Sequence, residues 1–241
     1  MDCLISVQGL SEFDSVIRSE VEIVDLKDPN LGPLAPTTPA IWVAVAEQYS
    51  KWTESNPMPS PSRFPLLSAA LGEGLQALQV AALLPRVFRF AKAGPSECAS
   101  PDKLVHLWSE VRARLHEQIE LVAVAYADWQ LANSLHPQQV FQLAAKHGFK
   151  RCLVDTYTKD GRTSLDFLTT ESLAELRQLT SDQKMWFAIA GSITKSEVKR
   201  LDSKGVRPDC YAVRGVVCQH DRSSGISPAR LEDWLSFIRS R

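Results

Sequence analysis

Eight short runs of apolar, strand-forming residues alternate with eight segments of helical periodicity, and this alternation restricts the fold more than any other feature of the chain. The predicted strands are Cys3–Val7, Val21–Leu26, Pro65–Ala70, Val87–Ala91, Leu121–Tyr126, Cys152–Asp155, Met185–Ala190 and Cys210–Val213. Most are apolar on both faces, as strands of a parallel sheet covered by helices should be. The predicted helices are Ser11–Arg18, Thr38–Tyr49, Leu75–Leu84, Pro101–Ile119, Pro137–His147, Thr170–Leu179, Lys195–Lys204 and Pro228–Arg239. Ser11 with Glu12 reads as a cap for the first, and Ser100-Pro101 is a cap followed by proline at the first helical position. Gly148 and Gly205 stand where a left-handed residue closes a helix. Eight such units in 241 residues predict an α/β fold, a (β/α)8 TIM barrel forming a single domain over 1–241. A doubly wound open sheet usually has fewer strands and a glycine-rich first turn, which is absent here. The stretch "KWTESNPMPSPS", Lys51–Ser62, is expected to be a surface loop insertion at about 50–63, since the alternation continues on both sides.

Charge narrows the function classes. With 27 basic and 28 acidic residues the formal net charge is −1, so nothing draws the whole molecule to nucleic acid or an anionic membrane. The amino terminus enters an apolar strand without a basic flank, unlike a signal peptide. Five cysteines without a C-x-x-C fit reduced thiols in a cytoplasmic protein. The five histidines show no metal-ligand spacing, so neither a metal nor another cofactor is called for. His220-Asp221-Arg222 reads as a solvated polar loop. Oligomeric state is left open, a homo-oligomer included.

A barrel of this kind places its chemistry at the carboxyl ends of its strands. Those positions hold Asp25 and Lys27 after strand two, Lys92 after strand four, Asp128 after strand five, and Asp155 with Lys159 after strand six. Grouped cations depress one another's pKa, and a lysine must be neutral to attack a carbonyl. Nearby carboxylates can move protons and hold the lysines in place, although a rim of solvated ion pairs would look the same in sequence. Asp25 and Lys27, two apart on a strand, share a face, so Asp25 is expected beside Lys27. Gly191-Ser192 after strand seven and Arg214-Gly215 after strand eight match the loops with which many barrels bind phosphate. In that reading Gly191 admits the anion, Ser192 donates a hydrogen bond and Arg214 supplies charge.

These residues lie within longer segments: "DLKDPNLGPLA" (Asp25–Ala35), "FAKAG" (Phe90–Gly94), "YAD" (Tyr126–Asp128), "DTYTKDGRTSLDFL" (Asp155–Leu168), "AGSI" (Ala190–Ile193) and "VRGVVC" (Val213–Cys218). In order, and over nearly the whole chain, they resemble the (5-formylfuran-3-yl)methyl phosphate synthases, also called 4-(hydroxymethyl)-2-furancarboxaldehyde phosphate synthases. The resemblance implies a (β/α)8 barrel that joins two molecules of glyceraldehyde 3-phosphate, losing phosphate and water, to build the furan of methanofuran. It implies that Lys27 forms the Schiff base and that Lys92, Asp155 and Lys159 assist. The chain departs from the family at the Lys51–Ser62 loop and at Ala93-Gly94-Pro95-Ser96. Neither departure removes a charged residue, and both suggest a bacterial branch serving a related one-carbon pathway. Rival readings are another Schiff-base aldolase acting on a sugar phosphate, and a non-catalytic barrel that binds a phosphometabolite.

Overall fold

The computed structural model describes residues 1–56 and 64–241. Its strands are β1 (Asp2–Val7), β2 (Ile23–Leu26), β3 (Leu66–Glu73), β4 (Phe90–Gly94), β5 (Glu120–Tyr126), β6 (Arg151–Asp155), β7 (Trp186–Ile189) and β8 (Cys210–Val213). All neighbouring pairs are parallel, and β8 returns to β1 to close the barrel in sequence order. The outer ring consists of α1 (Leu10–Ile17), α2 (Pro39–Ser55), α3 (Gly74–Val80), α4 (Pro101–Arg112), α5 (Pro137–Lys146), α6 (Ser164–Phe167), α7 (Thr170–Asp182), α8 (Lys195–Ser203) and α9 (Pro228–Arg239).

Strand residues alternate between two apolar layers because successive side chains point to opposite faces. Outward residues such as Ile5, Val24, Leu67 and Ile189 pack with the buried helix faces, among them Phe13, Trp42, Phe141 and Trp234. Inward residues such as Leu4, Ile23, Phe90, Val122 and Leu153 fill the barrel itself. The interior then changes character along the axis. On β2, Ile23 is followed two residues later by Asp25; on β6, Leu153 by Asp155; on β4, Phe90 by Lys92. The buried charges therefore collect at the carboxyl end of the sheet.

Several boundaries differ from expectation. α2 runs on through "KWTES" to Ser55, where loop was expected, and Trp52 packs edge-on against Phe64 at 5.3 Å between ring centroids. The rest of the expected insertion, 57–63, lies outside the described residues. β4 begins at Phe90 rather than Val87, so Lys92 sits inside the strand rather than after it. α4 ends at Arg112, well short of Ile119, and the short α6 has no counterpart among the predicted helices. Ser11 lies inside α1, whose cap residue is Gly9 with no side-chain cap hydrogen bond. Ser100 and Pro101 do cap and open α4 as expected. No described helix is long and apolar enough to cross a membrane.

Candidate active site

Two buried ion pairs organise the mouth of the barrel. Lys92 Nζ lies 2.5 Å from Asp25 Oδ1, and the two side chains are 4% and 1% exposed. β3 separates their strands, but at this level it carries only Ser68, in register with Asp25, and Ala70, in register with Lys92, which leaves room for the two to meet. Ser6 Oγ donates to Asp25 Oδ2 at 3.3 Å. Burial alone would raise the Asp25 carboxyl; the cations of Lys92 and Lys27 outweigh it and hold the group below the ordinary carboxylate range. The second pair joins Lys159 Nζ to Asp155 Oδ1 at 2.8 Å, with Thr156 Oγ1 accepting a further bond at 3.1 Å. Burial opposes ionisation of Asp155 too, and Lys159 and Lys27 prevail, so its pKa is lowered.

Lys27 is different. It follows β2 directly, is half-buried, and makes no ion pair or side-chain hydrogen bond among the described residues. Asp25 was expected to orient it, but the Asp25 carboxylate engages Lys92 instead. Burial is the largest influence on Lys27 and pushes its ammonium down to about 8. Asp155 and Asp25 pull the value up, while Lys159 and Lys92 push it down. A substantial fraction of this amine is thus neutral near physiological pH, which is what attack on a carbonyl requires.

These groups line a cavity of about 580 Å³ together with Gly191, Ser192, Ile193 and Gly215. A larger cavity, about 680 Å³, is lined by residues near the strands' amino ends, among them Asp2, Glu22, Arg151 and Trp186, and it holds no lysine. At β7, Gly191 has φ +85, and a Cβ there would lie 2.2 Å from Ser164 Oγ, so only glycine fits. The N–H groups of Gly191, Ser192 and Ile193 donate no hydrogen bond among the described residues. The three residues line the cavity with these donors unengaged.

Residues 3–235 match the family described as 4-HFC-P synthase. The chain belongs to the 4-HFC-P synthase family. The family's curated members are named as enzymes, and this chain is an enzyme. The (5-formylfuran-3-yl)methyl phosphate synthase of Methanosarcina barkeri is 28% identical, over 96% of this chain and 97% of its own. That of Methanothermobacter thermautotrophicus is also 28% identical, over 92% of each chain. Among solved structures, phosphoribosyl anthranilate isomerase from Thermus thermophilus superposes with a TM-score of 0.59 at 11% identity, over 100% of this chain and 99% of that one. The 3-keto-L-gulonate-6-phosphate decarboxylase of Vibrio cholerae gives 0.54 at 12% identity, over 99% and 97%. At such identities the two structures speak for the barrel alone.

Two expected site residues of this 4-HFC-P synthase family member, Arg214 and Asp128, have other occupations. Arg214 borders the cavity, but each of its five N–H donors is engaged. Nε donates to the Arg222 carbonyl (2.6 Å), Nη1 to Ser6 O (2.9 Å) and Glu12 Oε2 (2.8 Å), Nη2 to Glu12 Oε1 (3.0 Å) and Ser224 O (3.1 Å). Its guanidinium is therefore a buried strut, and removing it would strand a Glu12 carboxylate that is only 14% exposed. Arg214→Ala is expected to lower stability by about 3–5 kcal/mol, checked by denaturant unfolding. Unchanged unfolding in that variant would show that the pair does not brace the fold. Asp128, by contrast, does not line the cavity. It accepts the N–H groups of Tyr157 (2.6 Å) and Thr158 (2.8 Å) and the Thr158 hydroxyl, clasping the loop that carries Lys159.

Sequence reasoning overlooked a third group. Glu73, at the end of β3, accepts the Tyr126 hydroxyl and the Ser96 N–H (3.0 Å), and Tyr126 is fully buried against Tyr157. An apolar run ending in tyrosine gave no signal that its hydroxyl meets a carboxylate two strands away. Arg222, expected in solvent, lines the cavity.

Proposed function

We propose that this chain condenses two molecules of glyceraldehyde 3-phosphate into (5-formylfuran-3-yl)methyl phosphate, with loss of phosphate and water, for a methanofuran-type cofactor. Lys27 is the nucleophile: its neutral amine adds to an aldehyde carbon, and loss of water leaves an iminium. That iminium draws electrons from the adjacent carbon and makes its proton acidic, as class I aldolases require. The Asp155–Lys159 pair gives and takes protons at the loop edge of the cavity. Lys92, held by Asp25, keeps a fixed positive charge beneath them for an enolate or the departing phosphate. The cavity's undonated N–H groups at Gly191 and Ser192, with Gly215 opposite, receive a substrate phosphate.

One observation carries the reading. Of the three lysines at the mouth, Lys27 alone lacks a carboxylate partner among the described residues, and it is the one whose ammonium is pushed down to about 8. Purified protein incubated with glyceraldehyde 3-phosphate should release phosphate and develop furan absorbance in step. Phosphate release with no furan would point instead to simple elimination. The same assay checks the pH dependence. The protonated amine is inert, so kcat/KM should rise about tenfold per pH unit below 8 and level off above it. A flat profile between pH 6 and 9 would rule out Lys27 as the titrating group.

A further inference from the structure

Pairing accounts for most of the charge around the mouth: Lys92 with Asp25, Lys159 with Asp155, and Arg214 with Glu12. Besides Lys27 and the exposed Arg230, Arg222 is left over among the described residues. Its side chain is half-buried and lines the cavity, yet its guanidinium makes no ion pair or hydrogen bond among the described residues. The neighbouring Asp221 does not neutralise it. Asp221 Oδ1 is turned into its own loop, where it accepts the N–H groups of Ser223 (2.9 Å) and Ser224 (3.1 Å) and the Ser223 hydroxyl (2.5 Å).

The Arg222 backbone, by contrast, is held firmly. Arg214 grips the carbonyls of Arg222 and Ser224, and Arg214 is itself locked by two bonds to Glu12 and one to Ser6. This is a rigid platform beneath a side chain that has no partner of its own. A half-buried cation with no counter-charge in contact is unfavourable until an anion joins it. Burial lowers the Arg222 pKa and the Arg214 cation adds to that, while the carboxylates of Asp155 and Asp28 oppose it, which places the guanidinium within electrostatic reach of the catalytic cluster. The same cavity is lined by Gly191, Ser192 and Ile193 with their N–H donors unengaged. A planar fork of donors and a row of amides suit a tetrahedral dianion, and a phosphate monoester offers one.

We propose that Arg222, on a loop whose backbone Arg214 holds, is the cation that grips the substrate phosphate. This deepens the phosphorylated-aldehyde reading and rests on it for the identity of the ligand, not for the existence of the anion site. Arg222→Gln removes the charge and keeps a side chain of polar character. Its melting temperature should match the parent protein, since the guanidinium braces nothing.

Inorganic phosphate is the probe, titrated calorimetrically. Arg222→Gln should weaken its binding roughly ten- to hundredfold, the range for one charge-assisted contact, and Arg222→Lys should recover part of the loss. Borohydride trapping then separates the two readings. Half-saturation of labelling by glyceraldehyde 3-phosphate should rise by the same factor in Arg222→Gln, while labelling by glyceraldehyde, which has no phosphate, should not shift. Phosphate binding within twofold of the parent in Arg222→Gln would overturn the assignment. Failure of both aldehydes to label the parent protein would count against the Schiff base and not against Arg222, whose role the phosphate titration decides.

Discussion

Lys27→Arg should fold, lose turnover by roughly 10⁴-fold or more, and take up no borohydride-trapped adduct. Arginine keeps the positive charge, but its guanidinium stays protonated and cannot form an iminium. In the parent protein, borohydride added with glyceraldehyde 3-phosphate should attach a mass adduct that peptide mapping places on Lys27. Stability offers a second contrast. Lys27 has no carboxylate partner among the described residues, and its surroundings disfavour its charge. Lys27→Met should therefore leave the melting temperature unchanged or raise it, as expected where a residue serves chemistry rather than folding. An adduct on Lys92 or Lys159 would keep the chemistry and reassign the nucleophile. Full activity with no adduct on any lysine would remove covalent catalysis.

Lys92→Met should do the opposite and destabilise strongly. It leaves the Asp25 carboxylate, 1% exposed, facing the barrel interior without its nearest counter-charge. Breaking one side of such a pair costs about 3–5 kcal/mol, whereas replacing both partners by apolar groups is often neutral or stabilising. The double variant Asp25→Leu/Lys92→Met should accordingly recover most of the lost stability in denaturant unfolding. Turnover should stay depressed by on the order of 10²-fold or more, because the fixed cation under the reacting atoms is gone. A double variant that turns over normally would confine Lys92 to a structural part. A single variant as stable as the parent would mean that the pair is not formed in the folded protein.

The barrel was legible in the sequence because its cause is local and periodic. Strands such as Leu121–Tyr126 are apolar on both faces, helices such as Pro228–Arg239 carry their own caps and apolar stripe, and eight such units close only a few ways. The charged rim was legible for a related reason: Lys27, Asp155 and Lys159 stand where each strand gives way to its loop, and that end of a barrel is open. Where regular structure stops was less legible. α2 passes through "KWTES" and holds Trp52 against Phe64, a contact between residues distant in sequence that local propensity does not register.

Pairing belonged to the tertiary structure alone. Asp25 and Lys27 share a strand face, yet Asp25 turns to Lys92 two strands away, because Ala70 on the strand between them is too small to keep them apart. Arg214 follows β8 as a phosphate-binding arginine could, but Ser6, Glu12, Arg222 and Ser224 surround it and take up its donors. Those partners come from opposite ends of the chain and meet only when β8 closes against β1. The residue types and strand-end positions thus came from the sequence. Which cation is paired and which is left reactive depends on distances of a few ångströms across the closed barrel, and no spacing along the chain encodes them.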